Sequence, residues 1–259
     1  MGYAKSIERN AELCLNISNL PENGFELTKF TLPTYMVSMK DHKSYRIRNR
    51  FLKRIWMLQN LHHHYYEKRF EYQVETKKSN FRNFHGYFQS LEYFEDYIED
   101  ITRILRSKKN PSEKLKQYSD LFQQNKVLAI HVRRGDYLEL DNYHGVLPIA
   151  YYQEALSKFS VDEYLIVVFT NDVEFARSHF PPSFLFIGPA DLPCAAENLV
   201  LMSSASAIIG ANSTLSLWAA LIMDESQEVK VFPEPWFKTR SLDTSKLVPI
   251  GYSRVNVSF

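Results

Sequence analysis

Between residues 120 and 235, short apolar runs alternate with stretches of helical periodicity, and no other feature narrows the fold so far. Val127-Leu128-Ala129-Ile130 is apolar throughout, too short for a helix and bounded by polar residues. A strand buried on both faces of a parallel sheet reads this way. Residues 164–169, 184–187, 207–210 and 229–232 repeat the pattern. Helical stretches fall at 112–124, 149–159, from Val173 onward, at 197–202 and from Thr214 onward. Strands and helices alternating in this manner describe a doubly wound α/β sheet.

Ligands of such sheets bind outside the carboxyl ends of the strands, so the residues that follow each run carry the functional argument. The first run is followed by His131, Arg133, Arg134 and Asp136, with Gly135 among them. Two adjacent guanidiniums are costly to hold there without an anion, and the arginine fork matches a phosphate with two parallel hydrogen bonds. Gly135 lets the backbone turn tightly or approach a ligand. Together they point to a pyrophosphate grip. The competing reading is an ordinary surface turn with a local Arg134–Asp136 ion pair. The second run ends in Thr170-Asn171-Asp172. The fourth leads into Asn212-Ser213-Thr214, short donors at a helix start that suit either an anion or plain N-capping.

A chain of 259 residues holds one large domain or two modest ones. The polar, proline-containing stretch at 108–113 is the best boundary, giving an N-terminal part over 1–110 and a C-terminal part over 111–259. A net charge of +1 argues against a general nucleic-acid binder. Two cysteines, Cys14 and Cys194, imply no disulfide framework. No apolar run approaches the ~18 residues of a membrane span, and the first residues lack the apolar core of a signal peptide. A strand is expected over 11–17. Residues 40–70 mix bases (Arg46, Arg50, Lys53, Arg54) with aromatics (Tyr45, Trp56, Tyr65). They read as an amphipathic helix with Ile47, Phe51, Ile55 and Leu58 inward, or as a segment lying on a membrane surface. His62-His63-His64 resembles a metal patch, but consecutive residues of a helix diverge, and no metal site is expected. Ser90 suits the N-cap of a helix whose stripe is Leu91, Phe94, Ile98, Ile101 and Leu105.

Four blocks carry a resemblance to a known family. His131-Val132-Arg133-Arg134-Gly135-Asp136-Tyr137 is similar to the signature of the α-1,2-fucosyltransferases, glycosyltransferase family eleven. Gly86-Tyr87-Phe88-Gln89-Ser90 resembles that family's segment ahead of a long helix. Phe169-Thr170-Asn171-Asp172 is similar to its second motif, usually Phe-Ser-Asp-Asp. Asn212-Ser213-Thr214-Leu215-Ser216-Leu217-Trp218-Ala219-Ala220 resembles its third, usually with Trp where this chain has Leu217.

The resemblance implies a GT-B architecture of two Rossmann-like halves with the donor in the second. The first half, 1–110, would be the acceptor side and incomplete, because Met1 falls inside the helix that in the family follows a first strand and a Gly-rich loop; 111–259 would bind the nucleotide-sugar donor. It implies GDP-fucose as donor and a galactose-terminated glycan as acceptor, fucosylated on the 2-hydroxyl with inversion and without a metal or other cofactor. Arg133 and Arg134 carry over as pyrophosphate ligands and Asn171 and Asp172 as guanosine-side residues. Asn212, Ser213, Thr214 and Ser216 fall at the phosphate end of the donor. His131, Asp136 and Glu139 form the expected catalytic set, with Asp141 and His144 as further candidates for a general base. An N-terminally truncated, catalytically impaired GDP-sugar-binding homologue is the alternative. Surface-glycan assembly places such an enzyme in the cytoplasm, with residues 40–70 as a peripheral contact to the inner membrane and no nucleic-acid partner.

Overall fold

The computed structural model describes residues 83–224, 229–239 and 244–259, together with Ile7 and the stretches 13–16, 26–33, 37–40 and 64–67. The expectations for a helix near Tyr3, for the amphipathic stripe Ile47 to Leu58 and for His62 and His63 lie outside the described residues. Of the basic segment 40–70 only Lys40 and residues 64–67 are described, and Lys40 and His64 belong to strands.

Strand β1 (Leu13–Asn16) pairs in parallel with β2 (Val37–Lys40), and β3 (His64–Tyr66) with β4 (Asn83–His85). Two 3-10 turns, Leu91–Tyr93 and Glu95–Tyr97, then lead into helix α1 (Ile98–Arg106). The expected single helix from Ser90 is therefore split, and Ser90 is fully buried without making a cap bond. Aromatic packing overrides helical periodicity here. Phe94 leaves the helical backbone and stacks on Trp218 at 5.0 Å, while Tyr93 meets Phe88 edge-on at 5.3 Å.

Helix α2 (Glu113–Gln124) starts where its sequence says, with the Ser112 hydroxyl accepting the Leu115 N–H at 3.1 Å. It feeds strand β5 (Val127–Val132), buried along its whole length. After it come α3 (Gly135–Glu139), α4 (Ile149–Leu156), β6 (Leu165–Thr170), α5 (Val173–His179), β7 (Leu185–Ile187), α6 (Ala195–Ser203), β8 (Ala207–Ile209), α7 (Thr214–Ile222), β9 (Lys230–Glu234) and β10 (Ser253–Asn256). The sheet order is β10-β9-β8-β5-β6-β7, parallel throughout. The expected α/β class is borne out. Strand β10 had no apolar run to announce it: it is an edge strand in which Val255 alone is buried.

The alternation of strand residues divides the core into two layers. Val127, Ala129, Val167, Phe169, Ile208 and Phe232 pack against α2, α6 and α7. Leu128, Ile130, Val132, Val168, Ile209 and Val231 pack against α4 and α5. Each of these side chains other than Ala129 contributes roughly 1.5–3 kcal/mol of burial, so the register of β5 is fixed from both sides. Among the described residues no helix is long and apolar enough to cross a membrane.

The stretch between α1 and α2 is held by a buried charge cluster. Glu197 of α6 accepts the Ser112 N–H at 2.9 Å and the Ser112 hydroxyl at 2.8 Å, and pairs with Lys108 at 3.0 Å. Both charged side chains are only 6% exposed. Burial alone would raise the Glu197 carboxyl; the Ser112 and Lys108 bonds outweigh it and hold it below the ordinary glutamate range. Its contribution is thus present above that range and lost as pH falls through the lower folded value. Replacing Lys108 by Met leaves a buried carboxylate without its cation. Urea unfolding at pH 7 should show a loss of about 3 kcal/mol, and a loss too small to measure would mean that the pair does not hold the linker.

Candidate functional site

Strand order reverses at β5. From β5 the chain steps to β6 and β7 on one side, then crosses to β8, β9 and β10 on the other. The crevice between the carboxyl ends of β5 and β8 is the topological switch point, where open α/β sheets bind ligands. Residues 133–136 follow β5 and residues 210–213 follow β8, so the sequence-selected loops face each other across it.

Register sets the contacts. Val132 lies opposite Thr170, which makes Arg133 and Asn171 neighbours as both strands end. The Arg134 N–H donates to Asn171 Oδ1 at 2.9 Å, and Arg134 Nε donates to Asp172 Oδ2 at 3.1 Å. The same guanidinium lies 3.6 Å over the Phe175 ring. Asp172 also caps α5, its Oδ1 accepting the Phe175 N–H at 3.1 Å. The carboxylate expected to face guanosine is therefore committed at both oxygens to the fold and to Arg134. Arg133 pairs with Asp136 at 2.8 Å, with side chains 33% and 52% exposed. The local ion pair read from the sequence exists, but with Arg133 in place of Arg134. Gly135 is required by crowding: a Cβ there would lie 2.2 Å from Asn171 Nδ2.

One residue of the signature given no role by the sequence joins the two loops. The Tyr137 hydroxyl donates to the Asn212 carbonyl at 3.0 Å, and its ring stacks on His144 at 4.5 Å. Burial raises the Tyr137 phenol, so it remains a donor at neutral pH. Asn212 is buried; its amide donates to the carbonyls of His144 and Gly145, each at 2.9 Å, while its Oδ1 is buried without a partner. Ser213 is buried and makes no cap bond, and Thr214 is exposed at the start of α7. Ser216 does not reach the rim. It is fully buried, and its hydroxyl is used on the backbone of Ala211 and Ser213, closing the loop.

His131 lies in β5 and, by alternation, points to the same side as Val127 and Ala129. It is 4% exposed, with Nδ1 buried and unpartnered. Burial first, then the Arg133 charge, lowers its pKa to about 3, so the ring is neutral at neutral pH. Glu139 is exposed at the last position of α3. Asp141 is tied to Lys238 and to the Val146 N–H, and those bonds hold its carboxyl below the usual range.

Two measurements check this geometry. The unfolded chain protonates His131 near pH 6.5 and the folded chain resists until about 3. Stability should therefore fall as pH drops across that window, by about 1.4 kcal/mol per unit from this residue. His131→Asn should flatten the urea midpoint between pH 7 and pH 5; an unchanged slope would show that His131 is accessible and protonated. Gly135→Ala should push Asn171 off the Arg134 amide and cost on the order of 1–3 kcal/mol in the same assay.

The family model described as glycosyl transferase family 11 matches residues 26–246. The α-1,2-colitosyltransferase of Escherichia coli is 27% identical, covering 98% of this chain and 92% of that protein. The O-antigen biosynthesis glycosyltransferase WbnK of Escherichia coli is 31% identical over 59% of this chain and 54% of its own length. Among solved structures, POFUT1 in complex with GDP aligns at 12% identity with a TM-score of 0.38, covering 80% of this chain and 83% of that one. With the match running through both loops of the switch point, this chain belongs to glycosyl transferase family 11 and is a glycosyltransferase.

Proposed function

We propose that this chain transfers L-fucose from GDP-fucose to the 2-hydroxyl of a terminal galactose in a surface glycan, with inversion at the transferred carbon. The observation that carries the reading is the convergence of Arg133, Arg134 and the Asn212 loop on one crevice at the switch point. A nucleoside diphosphate leaving group needs a preorganised cation, and two guanidiniums meet that need without a metal. Arg134, already oriented by Asp172 and Phe175, suits a fixed contact to the diphosphate. Arg133 exchanges Asp136 for a phosphate oxygen. Thr214 and the first amides of α7 suit the same anion from the other side. The neutral His131 fits a hydrogen-bonding group under the leaving phosphate and not a proton shuttle. Asp136, bound to Arg133, lies on the leaving-group side, which weighs against it as the base that takes the acceptor proton. The enzyme would act at the cytoplasmic side of the membrane.

A second donor is favoured by one observation, the name of the 27% identical relative, which specifies colitose. Colitose is L-fucose without its 3-hydroxyl, so the two donors differ by one hydrogen-bonding group, and a site built for that hydroxyl discriminates against its absence.

Incubating the chain with each GDP-sugar and a β-galactoside, then locating the new linkage by NMR, decides between these readings. Transfer of fucose to the 2-hydroxyl is the expected result. GDP bound without any transfer would be the behaviour of an impaired homologue. Arg134→Ala should lower kcat/KM by about 100-fold or more, as loss of a charged transition-state contact does. EDTA should leave the rate unchanged, and inactivation reversed by a divalent cation would sink the metal-free mechanism.

A further inference from the structure

The end of α3 and the turn after it present apolar side chains that the donor reading does not use. Leu138, Leu140 and Tyr143 are 51%, 49% and 42% exposed. Tyr143 is linked to the crevice through His144, whose ring stacks on Tyr137 and whose carbonyl accepts from Asn212, and an exposed apolar ring beside a polar site marks a place where something binds. The patch is rigid. The Tyr143 N–H donates to the Leu140 carbonyl at 2.9 Å, and the Tyr143 carbonyl accepts the Thr239 N–H at 3.4 Å. Behind it the Asp141–Lys238 pair and the Asp141–Val146 bond brace the loop. The Tyr143 ring rests edge-on against His144 at 4.9 Å and tilted against the buried Phe237 at 5.3 Å. The ring is therefore held by two aromatic neighbours while 42% of the residue stays open.

Its position relative to the anion grip is set by a short series of ring contacts. Arg133 lies 5.6 Å from the Tyr137 ring, Tyr137 stacks on His144, and His144 abuts Tyr143. Three contacts thus separate the guanidinium from the open ring, so the two lie along one wall without touching. The C–H face of a pyranose is polarised positive and apolar, and it matches the negative face of an aromatic ring. The hydroxyl edge of the same sugar would face the polar side of the crevice.

We propose that Tyr143, with Leu138 and Leu140 beside it, is the platform that receives the acceptor sugar, a neutral pyranose of the β-galactoside class. This rests on the transferase reading above and adds the acceptor side of the same site. Tyr143 acts as a specificity-determining residue: it positions the acceptor and leaves the donor untouched.

The test is direct binding of methyl β-D-galactopyranoside to the full chain by saturation-transfer NMR, with and without GDP. GDP affinity is measured in parallel by calorimetry. Tyr143→Ala should weaken galactoside binding about tenfold while GDP affinity stays at the wild-type value. Tyr143→Phe and Tyr143→Trp, which keep a ring, should retain it. Equal galactoside binding by wild type and Tyr143→Ala overturns the proposal, as does a wild-type chain that binds none. Loss in Tyr143→Phe equal to that in Tyr143→Ala also overturns it, since the hydroxyl and not the ring would then be responsible. A dimer in sedimentation that Tyr143→Ala dissolves would assign the patch to a second copy and likewise overturn it. A wild type that binds galactoside through Tyr143 but has no affinity for GDP supports the platform and refutes the donor assignment instead.

Discussion

Two neighbouring guanidiniums at the tip of a strand with almost no accessible surface are the constraint around which the rest is arranged. Neither is left to find its own counter-charge, and the two are balanced differently. Arg134 is bound by Asp172 with side chains 20% and 27% exposed, and it also covers Phe175. Arg133 is bound by Asp136 in a more exposed local pair. Exposed pairs of that kind contribute about 0–1 kcal/mol, so under the proposed reading a phosphate would replace Asp136 at little cost. The half-buried Arg134 stays where its helix cap and its aromatic partner put it. One arginine is thus held on two sides and the other in a single exposed pair, the difference on which the proposed diphosphate site rests.

The strands that position this pair were legible because their side chains are buried on both faces. Val127 to Ile130 and the run at 164–169 have no polar residue to confuse the pattern, and their strands appear within a residue or two of the apolar limits. Where burial is one-sided the sequence said little. Ser253–Asn256 buries Val255 alone and gave no signal, although it completes the sheet. The segment after Ser90 misled in the opposite sense. Its three- and four-residue spacing fits one continuous helix, yet Phe94 is drawn out of helical geometry by Trp218, more than a hundred residues away. No local pattern contains that contact.

Within the site, residue types were readable and partners were not. Both arginines, Asn171, Asp172 and Asn212 gather at the switch point, but which carboxylate holds which guanidinium depends on the alignment of β5 with β6, fixed only by packing. Ser216 illustrates the same limit. A hydroxyl near a helix start suggests an anion ligand, and only its full burial against Ala211 and Ser213 shows that it serves the loop. The departures from the family pattern also become intelligible. Asn171 supplies its contact to Arg134 through a side-chain carbonyl, which an aspartate carboxylate would supply equally. Leu217 is buried in the core layer behind the sheet, where its size matters to packing and not to the crevice.

Tyr137 explains why the two loops act as one site. It adds a side-chain contact from the residues after β5 to a loop that Asn212 already ties to the His144–Gly145 backbone. Its hydroxyl fixes Asn212, Asn212 fixes the backbone of His144 and Gly145, and His144 returns to stack on Tyr137. The circuit is closed, so a displacement of either loop is opposed by the other. The Tyr137 ring also lies beside Arg133, the more exposed of the two arginines. His144, on which Tyr137 stacks, also abuts Tyr143. The same two side chains therefore place the arginine on one side and the open ring on the other.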